Sequence, residues 1–225
     1  HPEALTVALS RLQQLFNAGE QSQALALADR MLHWPTPVSK AQQATQQQAL
    51  YLQSQLQLQR EDYAAAEQSL QQLLQAPRLE VANGSNVIDT KQLASQLASA
   101  VYQQAQRPAP VATQQALLTK LLQQPRSEFH EAAAWQQIEL AEKEQVASLL
   151  RKFIADYPRS ERRLSAQAKL VALEDANQNF AAAAALYQQM ADETVDPRIE
   201  REALWNAATA AGKAKQGDTA LTLWQ

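Results

Sequence analysis

Arg60-Glu61-Asp62-Tyr63-Ala64-Ala65-Ala66-Glu67-Gln68-Ser69-Leu70-Gln71-Gln72-Leu73-Leu74-Gln75-Ala76-Pro77 is the stretch whose reading decides the fold. Its first residues are polar and suit a turn. Ala66, Leu70, Leu73 and Leu74 then recur at the spacing that places side chains on one face of a helix. Pro77 ends the run, because proline lacks the N–H and the backbone freedom to continue a helix. The stretch therefore reads as a turn, a helix with one buriable face, and a stop.

The same pattern recurs along the chain. Gln178-Asn179-Phe180 leads into Ala183, Leu186 and Met190, with Phe180 in the place of Tyr63 and Ala183 in the place of Ala66. Asn17-Ala18-Gly19-Glu20 before Ala24 is another copy, and Gln216-Gly217-Asp218-Thr219-Ala220-Leu221 a fourth. Two copies are weaker. Glu142 to Ala147 precedes Leu149, Leu150, Phe153 and Ile154, stopped by Pro158, and Pro110 to Leu122 is stopped by Pro125. Aligned on the small residue that opens each helix, the anchors are Ala24, Ala66, Gln114, Ala147, Ala183 and Ala220; the last three are 36 and 37 residues apart.

Each of these helices has a preceding partner, predicted over Ala4–Phe16, Ser39–Gln59, Asp89–Gln106, Ser127–Ala141, Ser160–Ala176 and Pro197–Ala214. Ser39 with Gln42 forms a capping-box pattern. Asp196-Pro197 puts a carboxylate at the N-cap and proline at the first helical position. The expected fold is all-α, about six helix pairs in one array over residues 1–225, with a loop insertion over 77–89.

Composition agrees with helices. The 225 residues include 44 Ala and 35 Gln but 4 Gly, and Ala and Gln are good helix formers. The glutamines alternate with leucine at helical spacing, as in Leu70-Gln71-Gln72-Leu73-Leu74, which supplies the apolar face that a disordered tract lacks. Net charge is −3 and no basic tract follows a phosphate backbone, so no nucleic acid partner is expected. No apolar run approaches the roughly 20 residues needed to span a bilayer, so membrane association is expected only through segments outside this chain. Cysteine is absent, which excludes disulfides, thiolate zinc sites and cysteine nucleophiles; it fits a bacterial envelope protein that avoids stray oxidation, and a cytosolic protein can lack cysteine too. The chain opens His1-Pro2 and ends Leu223-Trp224-Gln225 in helical pattern, as expected of a piece of a longer protein.

These features resemble the tetratricopeptide-repeat (TPR) family: small or aliphatic residues at the packing positions, an aromatic after the turn, a proline at the end, and a period near 34. The segment Phe153-Ile154-Ala155-Asp156-Tyr157-Pro158-Arg159-Ser160, with Ala166 and Leu170 behind it, is similar to bacterial cell-envelope TPR proteins, such as scaffolds of outer-membrane assembly and coordinators of Tol-type or Ton-type systems. The tryptophan–leucine–glycine pattern of the family's first helix is poorly kept. The resemblance implies a right-handed superhelical α-solenoid whose first helices line a concave face. It also implies a non-catalytic scaffold, in the periplasm or cell envelope, that binds another protein or peptide. A cytoplasmic location is the alternative compartment. The alternative functions are a helical domain of a larger enzyme or transporter, or a glycan-binding envelope module.

Catalytic and cofactor patterns are missing. His130-Glu131 starts like a zinc-protease helix, but Ala134 stands where the second histidine belongs. There is no P-loop, dinucleotide fingerprint or nucleophile elbow. No metal, no cofactor and no enzymatic activity are expected. Arg159, Arg162 and Arg163 cluster at a helix start and read either as a small anion-contact patch or as a solvated corner. Asn83-Gly84-Ser85, a glycosylation-type triplet, lies in the 77–89 loop.

On the predicted concave face stand Gln48, Tyr51 and Gln55 of the second pair. Phe129, Ala132, Gln136 and Glu139 come from the fourth pair, and Glu202 and Trp205 from the sixth. Trp135 and Trp224 read as core residues. Trp205 is the expected anchor, standing above a floor lined by Ala207, Ala208 and Ala211. Many glutamines and few charges imply hydrogen bonding to a partner more than electrostatic capture.

Overall fold

The computed structural model describes residues 3–34, 39–77 and 89–224, with the side chain of Trp224 left out. Most of the expected loop insertion, including Asn83-Gly84-Ser85, therefore lies outside the described residues, as does any core role of Trp224. Among the described residues there are twelve α-helices and no strand: α1 Ala4–Asn17, α2 Gln21–Leu32, α3 Lys40–Gln59, α4 Tyr63–Gln75, α5 Thr90–Gln106, α6 Val111–Leu122, α7 His130–Leu140, α8 Lys143–Asp156, α9 Arg163–Ala176, α10 Phe180–Glu193, α11 Pro197–Lys213 and α12 Gly217–Trp224. They form six TPR-like pairs, odd-numbered helices first and even-numbered helices second.

The caps explain the starts. Ser39 Oγ accepts from the Gln42 N–H while the Gln42 side chain accepts from the Ser39 N–H, both at 3.2 Å, so the capping box closes in both directions. Asp62, Asp89 and Asp196 each accept a backbone N–H of the first turn, from Ala65 (3.3 Å), Lys91 (2.9 Å) and Arg198 (2.8 Å). Ser127 and Ser160 behave differently from expectation. Each precedes its helix by a turn, and their carbonyls accept from the N–H of His130 and Arg163, the first residues of α7 and α9.

Four of the turns inside pairs share one geometry. Gly19, Glu61, Gln178 and Lys215 have φ of 74°, 58°, 61° and 61°, the only positive values among the described residues. At each, two hydrogen bonds close the end of the first helix. At Glu61 they run from the Glu61 N–H to the Leu58 carbonyl and from the Asp62 N–H to the Gln57 carbonyl; Gly19, Gln178 and Lys215 repeat both. This is the Schellman ending, which satisfies the last carbonyls and reverses the chain. Five residues after each left-handed residue stand Ala24, Ala66, Ala183 and Ala220, and all four are buried. Lys215 holds the left-handed position, and Gly217 opens α12 where Tyr63 and Phe180 open α4 and α10.

The third and fourth pairs depart from this turn. α5 ends at Arg107, whose backbone is extended before Pro108 (ψ 149°), because proline disfavours a helical residue ahead of it. Gln114 then closes the helix end, its amide donating to the carbonyls of Ala105 (3.1 Å) and Arg107 (3.2 Å). In the fourth pair the expected anchor Ala147 is only half-buried, and Leu150 takes the fully buried place.

The chain divides into two compact units, His1–Ala133 and Ala134–Gln225, and the division falls within α7. In the first, Leu5, Leu9, Leu12 and Leu15 of α1 pack on Ala24, Ala28 and Met31 of α2 and on Ala49 and Leu56 of α3. α3 then packs on α4, α4 on α5, and α5 on α6. Glu67 of α4 is buried, with Lys120 of α6, Gln104 (2.6 Å) and Gln71 (3.0 Å) on its carboxylate. In the second unit Phe153 is 1% exposed among Ile138, Leu150, Ile154, Ala166 and Leu170. Ala183, Ala184 and Ala191 of α10 share an alanine-rich core with Ala203, Ala210 and Ala211 of α11. Glu174 is buried there, bonded by Arg151 and by Asn179 (2.9 Å). Each buried carboxylate thus has the charge and donors that offset its desolvation.

A non-glycine residue in the left-handed region costs roughly 1–2 kcal/mol, part of which glycine's greater freedom in the unfolded chain cancels. Lys215→Gly is expected to raise stability by about 0.5–1 kcal/mol, and Gly19→Ala to lower it by about 1 kcal/mol; chemical denaturation of the two variants checks the pair of opposite signs. Ala183 has no exposed surface. Ala183→Leu should overpack its contact and destabilise by roughly 1–3 kcal/mol, and an unchanged melting temperature would contradict this packing.

Candidate functional site

The first helices of the first unit carry Gln48, Tyr51 and Gln55, three and four residues apart on one face of α3 and all half-buried. Gln55 and Gln96 of α5 exchange two hydrogen bonds, at 3.1 and 3.0 Å, and the Gln92 amide donates to the Tyr51 hydroxyl at 3.4 Å. Neighbouring first helices are thereby tied to each other by side-chain amides. The sequence reading did not single out Gln92 and Gln96; their four-residue spacing, equal to that of Tyr51 and Gln55, is the signal that could have found them. Other glutamines also brace the fold. Gln46 donates to the Met31 carbonyl (3.2 Å), Gln47 to that of Pro77 (3.0 Å), and Gln104 to that of Tyr63 (3.3 Å). Phe129 is half-buried and stacks on Tyr102 of α5, ring centres 5.3 Å apart.

His130, also in the first unit, is buried. The Ser127 N–H donates to its Nδ1 (3.0 Å), which assigns the proton to Nε2 for donation to the Gln124 carbonyl (3.2 Å). Both ring nitrogens thus hold the turn into α7. Among the described residues no three His, Asp or Glu side chains are grouped so as to hold a metal ion.

In the second unit, α7 carries Trp135, Gln136 and Glu139. Gln136 is half-buried and Glu139 exposed, and the Trp135 indole N–H donates to the Glu139 carboxylate at 2.6 Å. Trp135 was expected in the core. It is half-buried instead, edge-on to Phe153 at 5.3 Å, with Lys169 Nζ at 4.7 Å and Arg162 Cζ at 5.5 Å from its ring centre. On α11, Glu202 is exposed and Trp205 is 60% exposed. Ala207, Ala208 and Ala211 are fully or almost fully buried, so they pack α11 into the protein and do not form an open floor beneath the indole. Burial, with Asp175 and Glu202 nearby, raises the pKa of Tyr187.

The arginine cluster divides. Arg163 forks onto Glu193 (2.9 and 2.5 Å) and also bonds the Ile154 carbonyl, so it joins α8, α9 and α10. Gln167 and Gln189 donate to the same carboxylate, each at 2.8 Å. Arg162 turns instead to Trp135.

No family model matches the chain, and no curated protein matches it. Solved structures similar to it include the following two. One contains TPR-like repeats of a kinesin light chain from Podosopora anserina, at 16% identity, covering 100% of this chain and 93% of that one, with a TM-score of 0.29. The other is BtubC (BKLC) from P. vanneervenii, at 12% identity, covering 94% and 87%, with a TM-score of 0.33.

The hydrogen bonds from Arg163 hold the Glu193 carboxyl at a pKa of about 2, below its ordinary 4.5, against an opposing effect of burial. A depressed carboxyl pKa stabilises the fold above the unfolded value, and the contribution disappears as pH falls from 4.5 towards 2. Glu193→Gln should therefore melt lower than the parent chain at neutral pH, and the difference should shrink as pH falls through that window. Thermal melts of both chains across this range check it; a difference independent of pH would remove the ion pair as the cause.

Proposed function

We propose that this chain is a non-catalytic protein-interaction scaffold that presents the first-helix faces of its helix pairs to another protein or peptide. The observation that carries the reading is Trp205. Its helix is held by buried alanines on the other side, while the indole stands 60% exposed. Burying an exposed aromatic ring is a large favourable contribution at protein interfaces, where tryptophan is over-represented among the dominant residues. Gln48, Tyr51, Gln55 and Phe129 are the proposed partner-contacting residues of the first unit, and Gln136, Glu139 and Glu202 join Trp205 in the second. Of these, Tyr51, Gln55 and Phe129 also brace their own unit, so a partner meets a surface that is already ordered.

The proposed compartment is the bacterial periplasm or cell envelope. The Phe153 to Ser160 resemblance and the absence of cysteine support it. Capture of proteins from a bacterial envelope fraction, with parent and Trp205→Ala chains side by side, tests both proposals. Trp205→Ala is expected to weaken partner binding by about thirtyfold, the equivalent of about 2 kcal/mol, at an unchanged melting temperature. A lowered melting temperature with undiminished capture would remove Trp205 from the site.

A further inference from the structure

We propose that the Trp135–Arg162–Lys169 cluster of the second unit grips an acidic segment of the protein partner. The inference rests on the scaffold reading above and names the chemistry of what the face receives.

The cluster is built on a fixed platform. Phe153, 1% exposed, meets the Trp135 ring edge-on, and the indole N–H bond to Glu139 sets the rotation of the ring. Arg162, the N-cap residue of α9, and Lys169 of α9 reach the ring, and both are exposed. Cation–π contact holds each charge beside the indole without neutralising it.

These two cations touch an aromatic ring and have no counter-ion, whereas Lys213, which stands over Phe180, has one. Arg163 has Glu193, Arg151 has Glu174 and Lys213 has Asp175 at 3.5 Å. Among the described residues no carboxylate lies within ion-pair distance of Arg162 or Lys169. Their distances to the shared ring place them no more than about 10 Å apart, near the Debye length of physiological salt. Both stand on the same ring, so an anion that reaches it meets two positive charges. Glu139 is the single carboxylate on the ring, so the cluster keeps a positive excess. α9 adds to it, having no acidic residue in its first turn to offset the positive end of the helix.

The ring that both cations touch favours carboxylates on a peptide over a bare anion, because a peptide also offers apolar atoms to the indole. Two cations on one aromatic ring match negative charges carried on a chain whose apolar atoms can cover the ring. Side chains two residues apart on an extended chain lie about 7 Å apart and reach two such cations with ordinary side-chain length.

The experiment uses the whole chain and a labelled ten-residue peptide of alternating Glu and Gly, with the Lys–Gly peptide and inorganic phosphate as controls, read by fluorescence anisotropy. The parent chain is expected to bind the Glu–Gly peptide, more weakly as salt rises, and not the Lys–Gly peptide. The double variant Arg162→Gln, Lys169→Gln should bind it roughly tenfold more weakly at unchanged melting temperature. Trp135→Phe, which loses the indole N–H that sets the ring, should bind it at intermediate strength. The proposal is overturned if the parent chain ignores the peptide, if the double variant binds equally well, or if phosphate at equal charge concentration displaces the peptide. The two readings fail separately. Undiminished partner capture by the double variant defeats the cluster and leaves the scaffold; undiminished capture by Trp205→Ala, with peptide binding lost in the double variant, defeats the Trp205 anchor and leaves the cluster.

Discussion

Each regular first helix ends on one residue with positive φ, and the course of the second helix follows from it. The Schellman bonds at Gly19, Glu61, Gln178 and Lys215 satisfy the end carbonyls and aim the chain back. The distance from that residue to the buried alanine of the second helix is the same in all four pairs. Where the turn changes, the anchor changes. Arg107 before Pro108 cannot close a Schellman ending, and the small anchor is replaced by Gln114, whose amide caps the helix end. The fourth pair also lacks a positive-φ residue, and Leu150 replaces the alanine there.

Glutamine does the work that charged residues do elsewhere. One side-chain amide both donates and accepts, so Gln55 and Gln96 can satisfy each other in a way that two like charges cannot. Other glutamines reach backbone carbonyls left over at helix ends and turns, as Gln46 does at Met31 and Gln114 at Ala105. The glutamine-rich composition thereby serves as internal bracing, and the polar faces of the first helices in the first unit are ordered before any partner arrives.

Ionic residues are few, and their placement is selective. Glu67, Glu174 and Glu193 each gather a cation and at least one amide. Arg162 and Lys169 gather an aromatic ring and no carboxylate. Charge that is neutralised locally joins helices; charge that is not remains available at the surface. The cluster Arg159, Arg162 and Arg163 looked uniform in the sequence, and the structure separates Arg162 from Arg163 because the first is the N-cap residue of α9 and faces Trp135, while the second opens the helix and faces Glu193.

The sequence by itself determined the helices, their pairing and most of their limits. Periodicity, capping residues and prolines are local signals, and local geometry is what a cap or a turn obeys. Ser39 with Gln42, Asp196 with Pro197 and the alanine anchors Ala24, Ala66, Ala183 and Ala220 were all legible for that reason. The site was legible only in outline. Trp205 could be placed on a first helix beside its packing row, but its exposure was decided by which alanines of α11 the neighbouring helices buried. Trp135 read as core because its own helix places it on the packing side. Arg162 and Lys169, the N-cap and an inner residue of α9, decide that its ring meets two cations. Only the tertiary structure settles such contacts, because they depend on distances between side chains of different helices, which spacing along one helix does not encode.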